Sequence, residues 1–511
     1  EAAFRDVCEE IAGQDLGWLF GQWLHGTPLI DYALQRVQRR RLADGRWHVA
    51  ATIKRLGDGW MPVEIGDRTH TYARATGQPE IERVEFTTDS TPGRLMLDPR
   101  VRTHDWNMLN NAQPRGLLRG RSLRAVRLDN PTRNVAWRDR LATGLMPIAW
   151  FNDAGGVTLG VRSRSNYLGR FEQGLILVTR GVDPDATHPG GVYVRWENPV
   201  THPMPRTRTT MAAWAVEGRA GVALSWDRAL RRRWVDRADP HAGFDALWMA
   251  TTDVSYLDPG LWDDAGTVEA GPWFASTWPR GRTLLRARLG SRAGVVYRLP
   301  GPGIQSTNRY DVEGYWRTTV ELSARRPLGG GSTLGVRLFG GGYLAQHNPP
   351  RQRRIGIAGA DPFQTFTNPL LRSRGALFVR PDFHYQAPGD ANLRAFSPAV
   401  GGRWAVSANL ELAHDLYSRR QGFIRSLAAT AFVDGGLVDS LAVPSSGEGR
   451  AWTPLYDAGL GLVTTHAAGD LAWTMRVELP LVVNRWDFSA DRGAVDGRVT
   501  FRWQVSLAPS F

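Results

Sequence analysis

Polar and apolar residues alternate one by one from Trp316 to Arg325. Trp316, Thr318, Val320, Leu322 and Ala324 fall on one face of a strand, and Arg317, Thr319, Glu321, Ser323 and Arg325 on the other. A helix, with its period of 3.6, cannot sort these residues in this way. The pattern returns at Val192–Trp196, Val222–Trp226, Phe244–Ala250, Leu285–Leu289, Leu334–Leu338, Val406–Leu412, Leu471–Leu479 and Val499–Leu507. Arginine and glutamate on the second face of so many consecutive strands, with no helices between, do not suit a soluble sandwich. A barrel with lipid outside and water inside calls for them, because closure pairs every backbone group without leaving an edge. The pattern therefore predicts a mainly β chain: a transmembrane antiparallel β-barrel over residues 151–511, preceded by a short helical remnant and a small β-sandwich. Counting alternating stretches predicts about 14 to 16 strands, an even number being usual for bacterial barrels.

Composition is compatible with this without deciding it. Hydrophobic residues make up 42% of the 511-residue chain, and the mean hydropathy is −0.33, ordinary both for a soluble protein and for a barrel in which every second strand residue meets lipid. No apolar run reaches the roughly 18 residues of a spanning helix. The 21 tryptophans suit aromatic girdles at two membrane interfaces, or else fill a large core. The net charge of +13 is carried almost wholly by arginine, Lys54 being the one lysine. These arginines are spread over strands and turns rather than clustered, which argues against a nucleic-acid partner and for a polar lumen or contact with anionic lipid. Cys8, the single cysteine, allows no internal disulfide.

Residues 1–28 read as two helices. Phe4, Val7, Cys8 and Ile11 have helical spacing, Gly13 breaks it, and Asp15 is placed to cap a second helix carrying Leu16, Leu19, Phe20 and Trp23. With no initiating methionine, basic n-region or apolar h-region, the chain reads as a fragment or processed product. Residues 29–107 turn to short strands, including Trp47–Ile53 and Met61–Ile65 around a Gly57-Asp58-Gly59 turn. The run Gly13-Gln14-Asp15-Leu16-Gly17-Trp18-Leu19-Phe20-Gly21-Gln22-Trp23-Leu24, followed by Gly26-Thr27-Pro28, resembles the close of the helical part of aminopeptidase N-like zinc metallopeptidases. Trp60–Ile65 and Leu97-Asp98-Pro99 leading to Asn110-Asn111 are similar to the β-sandwich that follows in that family. That resemblance implies a zinc site of His-Glu-x-x-His plus a later glutamate. No His-Glu dipeptide occurs, and His25, His48, His70 and His104 lack ligand spacing. No catalytic residue, metal ligand or cofactor is therefore expected in this chain, and any zinc belongs to a part upstream.

Residues 108–150 read as an arginine-rich connector, with Trp137 and Trp150 marking an approach to the first membrane interface. A long Gly/Pro-rich stretch, about 346 to 403, interrupts the strands and is of a length usually tied to function. Within it, Ala391-Asn392-Leu393-Arg394-Ala395-Phe396 resembles the V/L-R-G-F/Y loop motif of the bacterial surface antigen superfamily of outer-membrane assembly and two-partner secretion barrels. Asn409-Leu410-Glu411-Leu412, Phe432-Val433-Asp434-Gly435-Gly436, Tyr456–Leu462 and Leu479-Pro480-Leu481 are similar to that superfamily's following strands, in the same order. Ala395 stands where the motif usually has glycine. A loop folded into the lumen would bury Arg394, which would then need a carboxylate; Asp434 shares a face with Phe432 and is available, and the resemblance implies this same pair. Arg394, Phe396, Phe432, Asp434 and Gly436 thus form the expected contact between loop and barrel, although Asp434-Gly435-Gly436 also reads as a turn. Phe501, Trp503 and the terminal Phe511 resemble the C-terminal signal by which outer-membrane barrels are recognised for assembly.

Together the two resemblances imply a fusion protein of the bacterial outer membrane, with lipid and the barrel assembly machinery as partners. In one reading the barrel anchors or displays an aminopeptidase-like module acting on peptide or protein substrates. In the other it translocates or inserts protein, with the front part as a binding module. The lack of repeated small receiving domains favours the first.

Overall fold

The computed structural model describes the chain apart from residues 27, 113–125, 131–136, 138–140, 169–170, 199–206, 231–239, 260–261, 298–311, 345–348, 359–372, 375–388, 397–400, 440–451, 485–503 and 510–511. Two helices come first, α1 (Ala2–Ala12) and α2 (Gly17–Trp23). Gly13 ends α1 in the left-handed conformation, φ 62°, and its N–H caps Glu9 O; this is the residue able to take that angle at no steric cost. Asp15 accepts the Gly17 N–H at 2.7 Å.

Six short strands follow: β1 (Tyr32–Arg41), β2 (Trp47–Arg55), β3 (Val63–Gly66), β4 (Thr71–Ala75), β5 (Ile81–Thr88) and β6 (Met96–Leu97). They form two sheets, β1-β2-β5 and β4-β3-β6. The sheets enclose one core that includes Tyr32, Val49, Ile53, Val63, Ile65, Leu95 and Leu97. Helix α2 docks on it where Trp18 stacks on Trp60 at 4.2 Å and Gln22 exchanges hydrogen bonds with the Trp60 backbone. Asp31 and Asp105 are buried at the exit of this unit. Asp31 accepts from Asn110 at 2.8 Å, and Asp105 accepts the N–H groups of Tyr32 and Asn107. Burial pushes the Asp31 carboxyl up to about 6; burial and the neighbouring Asp31 charge push Asp105 up to about 7.

The barrel strands are β7 (Val126–Leu128), β8 (Ala142–Asn152), β9 (Gly156–Tyr167), β10 (Phe171–Gly181), β11 (Gly190–Glu197), β12 (Thr207–Val216), β13 (Arg219–Ala229), β14 (His241–Thr251), β15 (Gly266–Arg280), β16 (Thr283–Tyr297), β17 (Val312–Gly329) and β18 (Ser332–Tyr343). After the long loop, in which β19 (Ile355–Gly356) pairs with β20 (Gly401–Gly402), come β21 (Trp404–Ser418), β22 (Ile424–Asp439), β23 (Trp452–Ala468), β24 (Leu471–Val483) and β25 (Gln504–Pro509). Among the described residues, sixteen of these, β8 to β18 and β21 to β25, form an antiparallel meander, and β7 completes a closed barrel between β25 and β8.

The alternation that predicted the barrel sets its two surfaces. Val161, Ile176, Val194, Met211, Val222, Phe244, Leu289, Val320, Leu338, Leu410, Val433 and Leu460 are exposed around the outside. A continuous apolar belt of this kind on a closed sheet is the surface of a membrane-spanning barrel. Tryptophan serves both purposes, since Trp196, Trp278 and Trp316 are exposed while Trp150, Trp214 and Trp262 are buried inside.

The barrel begins before the expected boundary at 151. In β8, Leu145, Pro147, Ala149 and Phe151 face out, and Met146, Ile148 and Trp150 face in. Both faces are apolar, so the strand lacks the contrast that marked the others. Trp150 is accordingly not an interface marker: it is buried, and its indole N–H donates to Glu217 at 2.6 Å. Connections at one end of the barrel are short, as at 281–282, 330–331 and 469–470, and at the other end they reach 252–265 and 344–403. The two N-terminal sheets join the short-turn end, where the Tyr167 hydroxyl donates to Trp106 O and accepts the Met108 N–H, both at 3.0 Å.

Candidate functional site

The site lies in the lumen, where the long loop meets β21 to β24. Register brings its groups together: Asn409 is the cross-strand partner of Asp434, Asp434 of Asp457, and Glu411 of Phe432. All lie on inward positions of adjacent strands, so a single side chain entering from the loop can reach several of them.

Arg394 is that side chain. Its Nη1 donates to Glu411 at 2.9 Å and to Glu478 at 2.8 Å, and its Nε lies 3.2 Å from Asp434. The guanidinium carbon sits 4.2 Å from the centre of the Phe432 ring. Arg394 is 8% exposed and Asp434 is fully buried. A cation in this setting costs several kcal/mol in desolvation unless its donors are met, and here three carboxylates and an aromatic face meet them. Arg476 on β24 ties Glu411 to Glu478 from the other side.

The loop backbone is held as firmly as its arginine. The Ser407 hydroxyl donates to Ala391 O at 2.6 Å, the Asn409 amide to Asn392 O at 2.9 Å, and the Ala395 N–H to Asp457 at 3.4 Å. Phe396 is buried in an apolar cluster with Tyr343, Ile355, Leu393, Val438 and Leu455. Asp434-Gly435-Gly436 is not a turn: it stays inside β22. Glycine at 436 makes room for the loop, because a Cβ there would meet Val406 O at 2.7 Å and the Leu393 side chain at 3.3 Å. The departure at Ala395 carries no strain, since the left-handed residues of the tip are Asp390 and Asn392. The structure thus brings Arg394, Phe396, Phe432, Asp434 and Gly436 together. Phe501, Trp503 and Phe511 lie outside the described residues; the backbone of β25, Gln504–Pro509, pairs with β24.

Sequence reasoning did not find the loop's other anchors. Further round the wall, Arg353 pairs with Glu269 on β15, which also receives Arg292 at 2.9 Å and the Tyr315 hydroxyl. Arg317 pairs with Asp390 at 3.3 Å, and Arg337 donates to Asp390 O at 2.7 Å. Ser373 hydrogen-bonds both Glu217 and Arg219. A charged residue at an inward strand position was the available signal. Glu269, Arg292 and Glu478 all carry it, but nothing in the sequence pairs them.

The front part shows no comparable site. His25 contacts Glu1, His48 contacts Glu85, His70 contacts Thr69, and His104 packs edge-on against Trp23. Among the described residues no group of three His, Cys, Asp or Glu could hold a metal ion.

A closed wall built almost wholly of antiparallel strands, an apolar belt and a loop pinned in the lumen define an outer-membrane-type β-barrel. No protein-family model and no curated protein matches the chain. Among solved structures, CdiB from Escherichia coli is 15% identical with a TM-score of 0.40, the match covering 71% of this chain and 62% of that one, less than two thirds of its length. BamA from Haemophilus ducreyi, lacking POTRA domains 1–3, is 10% identical with a TM-score of 0.34, over 73% and 71% of the two chains. The outer membrane protein OprD from Pseudomonas aeruginosa is 10% identical with a TM-score of 0.33, over 94% and 92%. With every score below 0.5, the class rests on the barrel's own geometry. None of these comparisons supports the aminopeptidase resemblance of the first hundred residues.

Proposed function

We propose that this chain is an outer-membrane barrel of the surface-antigen type that passes or inserts protein, with its two N-terminal sheets as a periplasmic binding module. The observation that carries this reading is Arg394, buried in the lumen and held by Glu411, Asp434 and Glu478. An anchor needs only a filled or narrow interior, whereas a loop held in the lumen by a set of ion pairs and hydrogen bonds, Arg394 at their centre, can be released as a unit. Outer-membrane barrels have short periplasmic turns and longer external loops, so the N-terminal sheets, at the short-turn end, face the periplasm and the plug enters from outside. This placement suits a module that meets protein before it reaches the membrane. The anchor reading, with a zinc-peptidase part upstream, retains only the residue pattern of 13–28, 60–65 and 97–111.

The test is planar-bilayer conductance. The parent is expected to be quiet and Arg394→Ala to conduct; unfolded polypeptide added on the side of the N-terminal sheets should then block the current more than the same polypeptide added opposite. Block that is equal from both sides, or absent, would favour a passive anchor.

A further inference from the structure

Several buried carboxylates of the barrel are met by arginine. Arg353 and Arg292 reach Glu269, Arg394 reaches Asp434, and Asp129, which follows β7, receives Arg162 at 2.7 Å and Arg164 at 3.1 Å. Asp31 and Asp105 in the N-terminal unit are buried too, yet among the described residues no arginine, lysine or histidine pairs with either. The two stand close enough for the charge of Asp31 to act on Asp105, and Asp105 accepts the N–H of Tyr32, the residue after Asp31. Two like charges held together out of water call for a cation or a proton between them.

The other side chains around the pair are amides. Asn110 donates Nδ2 to Asp31 at 2.8 Å, while its Oδ1 is buried without a hydrogen bond. Asn111 is 2% exposed and turned toward Asp105, yet neither its Oδ1 nor its Nδ2 is hydrogen-bonded. A buried amide left in this way costs about 1–3 kcal/mol, a cost that a ligand at the carboxylates would remove. Half a turn about the last side-chain bond exchanges the oxygen and nitrogen of an asparagine, so both residues can offer oxygen there. Asn107 is buried as well and stands against Asp31. Two carboxylates with amide oxygens, and no histidine or cysteine among them, are the donor set of a hard cation. Burial leaves little room for the several waters that Mg2+ retains, which favours Ca2+.

We propose that Asp31 and Asp105, with the side-chain oxygens of Asn107, Asn110 and Asn111, form a Ca2+ site that clamps the joint between the N-terminal sheets and the barrel. Residues 105–111 bring four of these five ligands. Their backbone is tied to the sheets by the Trp106 N–H to Ile30 O at 3.2 Å, the Leu34 N–H to Asn110 O at 3.0 Å and the Leu97 N–H to Asn111 O at 2.7 Å. The same segment grips the barrel, since Trp106 O and the Met108 N–H hold the Tyr167 hydroxyl of β9. A cation shared by Asp105 and Asp31, just before β1, fastens that segment to the first strand, and so sets how firmly the sheets are carried on the barrel. It also lets both carboxyls stay ionised at neutral pH, where burial otherwise pushes them up to about 6 and about 7.

The site is tested without any transport assay, so its failure would leave the proposed function untouched. The full chain, folded in detergent micelles and stripped with EDTA, is titrated with CaCl2 while amide exchange is followed in the β1–β2–β5 sheet. One saturable Ca2+ per chain is expected. About 1 mM Ca2+ should slow exchange of that sheet roughly tenfold, as mass action gives for a site of about 0.1 mM. Asp31→Asn and Asp105→Asn should each abolish the Ca2+ effect, yet in EDTA exchange no faster than the parent, because each removes one of two like charges. Terbium gives an independent reading: with the Trp106 indole beside Asp31, bound Tb3+ should luminesce on tryptophan excitation in the parent and lose that signal in Asp105→Asn. Exchange that Ca2+ leaves unchanged in the parent, or slows equally in the two variants, would overturn the inference and leave the pair with a shared proton alone.

Discussion

The wall that holds the plug and the seam that closes the barrel are built to different standards. β22 and β23 pair over fifteen residues, from Ile424 to Asp439, and their inward face carries the Arg394 site. β7 and β8 pair over three. At roughly 0.5–1.5 kcal/mol net per hydrogen bond, the first ladder is by far the stronger. The same chemistry, a buried carboxylate against arginine, is used at both. At the plug it reinforces a strong wall from within; at the seam it supplies much of what holds a weak one. Local stability in a single closed sheet is therefore set by the length of pairing, and charge decides where a short element stays put.

The largest expected effect is at the strong side. Arg394→Ala leaves Asp434 buried without its cation and Glu411 and Glu478 with Arg476 alone, a loss of about 3–5 kcal/mol, read as a lower unfolding midpoint in denaturant together with the conductance described above. Arg394→Lys should recover part of it, since a point charge cannot reproduce the guanidinium's several directed contacts. Asp434→Asn, which leaves two carboxylates on Arg394, should cost about 1–3 kcal/mol in the same unfolding measurement. If it cost as much as Arg394→Ala, the cluster would act as one unit rather than as separable contacts.

A pH series sharpens the comparison from the side of the N-terminal sheets, which feed into the seam. Asp31 and Asp105 titrate at about 6 and about 7 when folded, above their unfolded value of 3.8. Their favourable contribution is thus complete below the unfolded value and is lost as pH rises through the folded values. Without divalent cations, stability of this unit should fall by about 1–3 kcal/mol between pH 4 and pH 8, measured by hydrogen exchange of the β1–β2–β5 sheet. Asp105→Asn should flatten that slope. The smallest effect on global stability belongs to Asp129→Asn, about 1 kcal/mol or less, because it loosens only β7. A global loss as large as that of Arg394→Ala would erase the distinction between the two regions.

Much of this was legible in the residues. Strict alternation in β17, β21 and β24 is enough to define a barrel, because side-chain period alone separates a lipid face from a wet one. The Arg394–Asp434 contact was legible too, since an arginine set among the apolar residues Leu393 and Phe396 of a long lumenal loop needs a buried partner, and Asp434 shares the inward face of Phe432. β8 was not legible: its inner face carries Ile148 and Trp150, which remove the contrast between faces. Nor was β7, where three residues give no period to detect.

The sequence by itself thus determined the class of fold, the two faces of the wall and one end of the central ion pair, all of which follow from periodicity within single strands. Only the tertiary structure decided that Glu411 and Glu478 join Asp434 on Arg394, that Arg353 reaches Glu269, and that Asp129 seats between Arg162 and Arg164. Those partners lie on different strands, and which of them meet depends on register and closure, which no local pattern encodes.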